Sequence, residues 1–184
     1  MVYIALVSLS ILIMGVYLGL YSLHRGLPTS ISNTFYVTEK QWLFPVILTI
    51  AVALCVVPLF DFTPEPYKVL AFGLIGGLLF VAAAPAFKQE FEGNVHKYSA
   101  IVAGICALLW LILMNGVPLL AITGYIISVI DRKRCVFWIE FGLLSNVYYV
   151  LAFFSILHIW KVNKLIVMRV DVNRCAFLFI LHQR

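Results

Sequence analysis

The chain has 184 residues, 64% of them hydrophobic and 11% charged, and a mean hydropathy of +1.05. A water-soluble domain carries roughly 25% charged residues, so this composition cannot furnish the polar shell of a soluble fold. The net charge of +5 points to helix ends meeting anionic headgroups and setting orientation, not to a nucleic-acid partner.

Val2–Ser22 carries no charge and is long enough to cross about 30 Å of hydrocarbon at about 1.5 Å per residue. No Lys or Arg precedes it and no small-residue cleavage site follows, so it reads as a retained first span and not as a signal peptide. Gly15 and Gly19 give it a small face for close packing. Arg25–Trp42, RGLPTSISNTFYVTEKQW, is the longest polar interval before the carboxy-terminal tail; it is expected to form the lid or floor of any site. Within it, Thr38-Glu39-Lys40-Gln41 has the form of a capping box for the second span, Leu43–Phe60. Pro45 lies in the first turns of that span and Pro58 near its end, where missing hydrogen bonds cost least. Trp42 is placed as an interfacial anchor.

A short turn, Asp61–Pro66, follows, with Thr63 as a candidate cap and Pro64 as a candidate first helical residue. The third span, about Val69–Phe87, carries Gly73, Gly77 and Ala82-Ala83-Ala84 as a small-residue face, expected against the first helix; Pro85 ends it. Lys88–Lys97 is the second polar interval, with Asn94 the expected cap of the fourth span, Tyr98–Met114. Asn115-Gly116 marks a turn. Val117–Ile130 alone reaches only about 21 Å, whereas Tyr98–Ile130 as one helix would reach about 50 Å. A tight helical hairpin with local thinning of the bilayer is preferred, and a re-entrant segment is the alternative.

Val136–Leu157 is the last span. Arg169, Asp171, Asn173 and Arg174 interrupt the apolar run that follows, and a central charge costs about 2.5–3.5 kcal/mol. A seventh span is therefore rejected in favour of an interfacial segment or short strand. The expected fold class is all-α: an integral membrane bundle of six transmembrane helices over residues 1–160, then a short basic amphipathic tail over 161–184. With six spans, one face receives Arg25, Lys40, Lys88, Lys97 and Arg132-Lys133-Arg134. The other receives Lys68 and the tail's Lys161, Lys164, Arg169, Arg174 and Arg184. Early spans and short loops dominate orientation, which puts the first face in the cytoplasm and both termini outside.

The polar residues with chemical potential gather on that first face. Glu140 lies inside the last span, and an ionisable group there must be paired or neutralised. Its own helix offers Val136, Phe137, Leu143 and Leu144 at the neighbouring positions, so its partner is expected from elsewhere, with His24, Arg25 or His96 in reach. Glu90, Glu92 and Asp131 complete the set. Two readings compete: Glu140 fixes helix packing through one cation, or His24 and His96 with a carboxylate hold a metal or pass a proton. No HxxxH or HExxH spacing supports a metal. Ser30, Ser32 and Thr34 would need a base within hydrogen-bond reach to serve as nucleophiles, and such clusters routinely build turns. Cys55, Cys106, Cys135 and Cys175 form no CxxC and read as small core residues. Asn146 and Ser145 read as interhelical hydrogen-bonders.

The stretch Leu27-Pro28-Thr29-Ser30-Ile31-Ser32-Asn33-Thr34-Phe35-Tyr36, with Trp42 and Gly93-Asn94-Val95-His96, resembles a family of small bacterial and phage-encoded multi-span membrane proteins of uncharacterised activity. The likeness covers roughly Val2–Met114 and implies a bacterial cytoplasmic membrane, with no ligand or activity to carry over. Alkaline-ceramidase-like membrane hydrolases also combine Ser, His and Asp within spans, but this chain lacks their HxxxH helix. The expected function is therefore that of a non-enzymatic accessory or small-solute/ion-handling component with a polar site on the loop face. The rivals are a metal-dependent or hydrolytic enzyme acting on a lipid-like substrate, and a structural partner associating through its helix faces. The expected partners are the lipid bilayer and a second copy of the chain; no cofactor can be named.

Overall fold

The structure is a computed structural model that describes residues 1–84 and 89–182, with side chains for 1–84, 93–114 and 116–161. Pro85 and Lys88 lie outside the described residues, as do the side chains of Glu90 and Glu92 and those of the tail from Val162 onward, Cys175 among them. Every regular element among the described residues is helical: α1 (Val2–Arg25), α2 (Thr34–Val37), α3 (Leu43–Phe62), α4 (Lys68–Ala83), α5 (Gln89–Asn115), α6 (Leu119–Ile130) and α7 (Cys135–His182). Two 3-10 turns, Glu65–Tyr67 and Arg132–Arg134, lead into α4 and α7.

Among the described residues five stretches are long and apolar enough to cross a bilayer: Val2–Arg25, Leu43–Phe62, Glu65–Ala83, Gly93–Met114 and Arg132–Lys161. The expected fifth span is the exception. Helix α6 has 12 residues and reaches about 18 Å. The chain beyond Trp160 continues α7 as helix to His182, which corrects the short strand, one of the two alternatives expected there.

Glycines stop two of the long helices. Gly26 at φ +79° and Gly116 at φ +76° lie where a side chain is strained, and their amides close back on Ser22 O and Ile112 O at 2.9 and 3.0 Å. The expected capping signals behave differently. The Thr38 hydroxyl donates backwards to Thr34 O at 2.6 Å, and α3 begins after Trp42 with no side-chain cap, so the capping box does not form. Thr63 ends α3 and does not open α4: its hydroxyl donates to Leu59 O at 2.5 Å and accepts the Trp110 indole N–H at 2.8 Å. Asn94 lies inside α5, which starts five residues before it at Gln89, so it is not the cap.

The helices pack in sequence, α1 on α3, α3 on α4 and α4 on α5, while α7 reaches back to α1, α3 and α5 and carries α6 on its flank. Val7, Trp110, Leu111, Val150 and Leu151 are fully buried at the centre. Ser10 ties three helices together there, donating to Ala51 O at 2.8 Å and lying 2.8 Å from the Tyr148 hydroxyl.

Small residues set the close crossings, though not where the spacing of Gly15 and Gly19 pointed. A Cβ at either of those would meet nothing within 4 Å. Gly73 and Gly77 face α5 and not α1. A Cβ at Gly73 would lie 2.5 Å from Cys106 Sγ, and one at Gly77 would lie 2.9 Å from the Ser99 carbonyl. The tightest crossing joins Gly124 of α6 to Gly142 of α7, where a Cβ on Gly124 would run into the Trp138 carbonyl oxygen and Gly142 Cα. Asn146 completes that joint. It is 1% exposed, and its side-chain oxygen accepts the Leu120 amide at 2.9 Å. An α7 side chain thereby caps a helix whose own cap position is Pro118, which offers no side-chain acceptor.

Candidate functional site

The loop after α1 folds inward and is held by α7 from both directions. At its start, Leu27 O accepts from Arg134 Nε at 3.3 Å, and Thr29 O accepts the Phe137 amide at 3.0 Å. The second of these satisfies an amide in the first turn of α7, which has no partner within its own helix. In return the Ile31 amide donates to Glu140 Oε2 at 2.6 Å, with the Ser32 amide also acting on that carboxyl. Glu140 lies five residues past the start of α7, which turns it under the loop.

The loop's hydroxyl residues build its shape. Ser30 Oγ accepts the Asn33 amide at 3.0 Å and lies 3.2 Å from Ser32 Oγ. Thr34, fully buried, donates to Ile31 O at 2.6 Å and accepts from the Tyr17 hydroxyl at 2.8 Å. Each of these contacts is a turn or a tether of the kind that Ser and Thr side chains make locally. Ile31, Thr34 and Phe35 are all buried, so the polar interval forms a plug seated in the bundle.

Beneath this plug lies a cavity of about 150 Å³ bounded by α1, α3, α4, α5 and α7. Met14, Phe44, Leu48, Leu78, Leu143 and Val147 wall it, and α5 contributes only Ala100, Ala103, Gly104 and Ala107. The polar side chains on its lining are Ser32 and Glu140. Glu140 is half-buried, and the carboxyl forms the polar end of an otherwise hydrocarbon space.

The other expected site residues are not gathered there. His24 is exposed, and its Nδ1 bonds to Leu20 O, one turn back, at 2.9 Å. Arg25 reaches Glu39 at 3.4 Å across exposed surface. His96 packs edge-on to Tyr36, with ring centroids 6.5 Å apart. The described residues hold no cluster of three or more His, Cys, Asp or Glu side chains able to take a metal. Cys55, Cys106 and Cys135 are free thiols.

Asp131, between α6 and the 3-10 turn before α7, accepts from Trp138 Nε1 and Arg134 Nη1, each at 3.2 Å. The indole donor first, and then the guanidinium, hold its carboxyl below the ordinary value of 3.8. A carboxyl whose folded-state pKa is depressed contributes stability above its unfolded value and loses it as pH falls through the folded one. Asp131→Asn should therefore be less stable than wild type near pH 6 and converge on it as pH falls below about 4. Unfolding at a series of pH values, followed by circular dichroism, would read this, and a difference from wild type that stays constant between pH 6 and pH 3 would overturn it.

The sequence reading missed the cavity wall. Its signal was present: Ala100, Ala103, Gly104 and Ala107 recur at the 3–4-residue spacing that puts them on one helix face. The partner of Glu140 had no such signal, because it is a backbone amide 109 residues away.

Fold and site together define, among the described residues, an all-helical protein with five apolar helices of bilayer length and a pocket beneath an inward-folded loop. No protein-family model matches the chain, and no curated protein or solved structure is significantly similar to it.

Proposed function

We propose that the chain is a non-enzymatic integral membrane protein of six spans that holds a small lipophilic solute in the cavity beneath the 26–37 loop. The observation that carries this reading is the cavity itself, a hydrocarbon-walled space with one carboxyl at its end. A hydrocarbon-walled space of about this size can take up a small apolar molecule.

Membrane insertion is supported by the outer surface. Leu12, Val69, Phe72, Phe80, Ile105 and Ile126 are each more than half exposed, an apolar girdle that soluble monomers rarely present. Trp42 and Tyr36 at one end and Tyr67 and Trp160 at the other are exposed where interfacial aromatics anchor. Helix α6 then counts as a short sixth span, its deficit met by thinning of the bilayer beside the Arg132–Arg134 cluster. The dispersal of His24, Arg25 and Asp131 to separate partners favours solute handling over a metal-dependent or hydrolytic reaction.

Gly104 gives the test. A Cβ there meets only Leu143 Cδ1, at 4.0 Å, so Gly104→Leu should fill the cavity without disturbing a helix contact. Wild-type protein in phosphatidylcholine nanodiscs should show saturable binding of neopentylbenzene by saturation-transfer NMR. Gly104→Leu should weaken it by about tenfold or more while melting no lower than wild type, since removing a mid-helix glycine favours the helix by up to about 1 kcal/mol. Equal binding by both proteins, or by neither, would sink the reading.

A further inference from the structure

We infer that the solute is a lipophilic cation, of the arylammonium or alkylammonium class, for which Glu140 is the counter-ion. This rests on the reading of the cavity as a binding site and deepens it by naming the ligand class. The Ile31 amide at 2.6 Å, with that of Ser32, occupies part of the carboxylate's capacity, which is about four acceptor positions. Amides are neutral, so these bonds orient the group and leave its net charge uncompensated.

No described cation supplies the missing charge. Arg25 is paired with Glu39, Arg134 with Asp131, and Lys68 with Glu65 at the far end of α4. His24 is engaged with its own helix and His96 lies against Tyr36. Lys40, Lys97, Arg132 and Lys133 are exposed. A carboxylate facing hydrocarbon without a counter-charge is costly and is relieved by a proton or by a cation; a cationic ligand would displace the proton and complete the group.

The walls select the kind of cation. A metal ion such as calcium or magnesium needs several oxygen ligands, and among the described residues the cavity's side chains offer oxygen only from Glu140 and Ser32. A substituted ammonium carries its own hydrocarbon shell and needs no such cage. The Phe44 ring and the Met14 thioether, both on the lining, add the polarisable surfaces that favour an organic cation.

The test uses a matched pair of probes with the same shape and different charge. Benzyltrimethylammonium and neopentylbenzene would each be titrated into full-length protein in phosphatidylcholine nanodiscs, with protein-free nanodiscs as the blank. Wild type should bind the ammonium at least about tenfold more tightly than its neutral isostere. Glu140→Gln should bind both probes equally, and Glu140→Asp, which keeps the charge, should restore a preference for the ammonium. If wild type binds neopentylbenzene with no cation preference, or if Glu140→Gln keeps one, the ligand class proposed here is wrong while the cavity reading stands. If neither probe binds wild type, the cavity reading fails and this inference with it.

Discussion

Gly124→Ala is expected to destabilise the protein by at least about 1–3 kcal/mol, the usual cost of overpacking a fitted contact. The upper end is the better guide, because the atoms in the way are backbone. An added Cβ meets the Trp138 carbonyl oxygen and Gly142 Cα, and neither can swing aside as a side chain would. To make room α6 must move off α7, which also pulls the Leu120 amide away from Asn146. Gly15→Ala is the paired control. Nothing lies within 4 Å of its Cβ, so the gain in helix propensity, up to about 1 kcal/mol, should appear unopposed. Unfolding in mixed micelles should thus move in opposite directions for the same chemical change. Equal shifts would mean that α6 does not cross α7 at Gly124.

Trp110→Ala should cost about 3–5 kcal/mol, as for other buried aromatic truncations, because the indole is fully buried between α5 and the end of α3. The subtler experiment separates its packing from its hydrogen bond. Thr63→Val keeps shape but leaves the indole N–H buried and unpaired, which costs about 1–3 kcal/mol. Trp110→Phe removes the donor and part of the ring. In the double variant no donor is stranded, so its destabilisation should fall short of the two singles added together. Strict additivity, read by the same unfolding assay, would show that the Trp110–Thr63 bond contributes nothing.

The apolar runs made the starts of α1, α3 and α4 legible to within a residue and their ends only to within a turn, since a long uncharged run in this composition has few alternatives to helix. Glu140 was legible too, as a charge inside such a run. What the sequence could not show was partnership at a distance. Thr63 and Trp110 lie 47 residues apart, and Gly124 and Gly142 are single glycines on different helices. The Gly15/Gly19 pair had the familiar spacing and packs against nothing, because spacing reports a flat helix face and not what lies opposite it. Thr38 and Thr63 failed as caps for a related reason. A hydroxyl that can turn to the carbonyl four residues back does so, and sequence does not reveal which way it turns.

The order in which a ribosome delivers the pieces has a bearing on the plug over the cavity. Its residues emerge early, between the first and second long helices, yet the groups that clamp it, Arg134, Phe137 and Glu140, are made roughly a hundred residues later. Chains fold from the amino terminus as they are synthesised, at about 5–20 residues per second. The young bundle therefore waits several seconds or longer with the Ile31 amide unlatched and its inner space without a roof. A nascent chain arrested at Asn115 has every wall of that space except the one from α7, so the polar end of the space, Glu140, is added only when α7 packs.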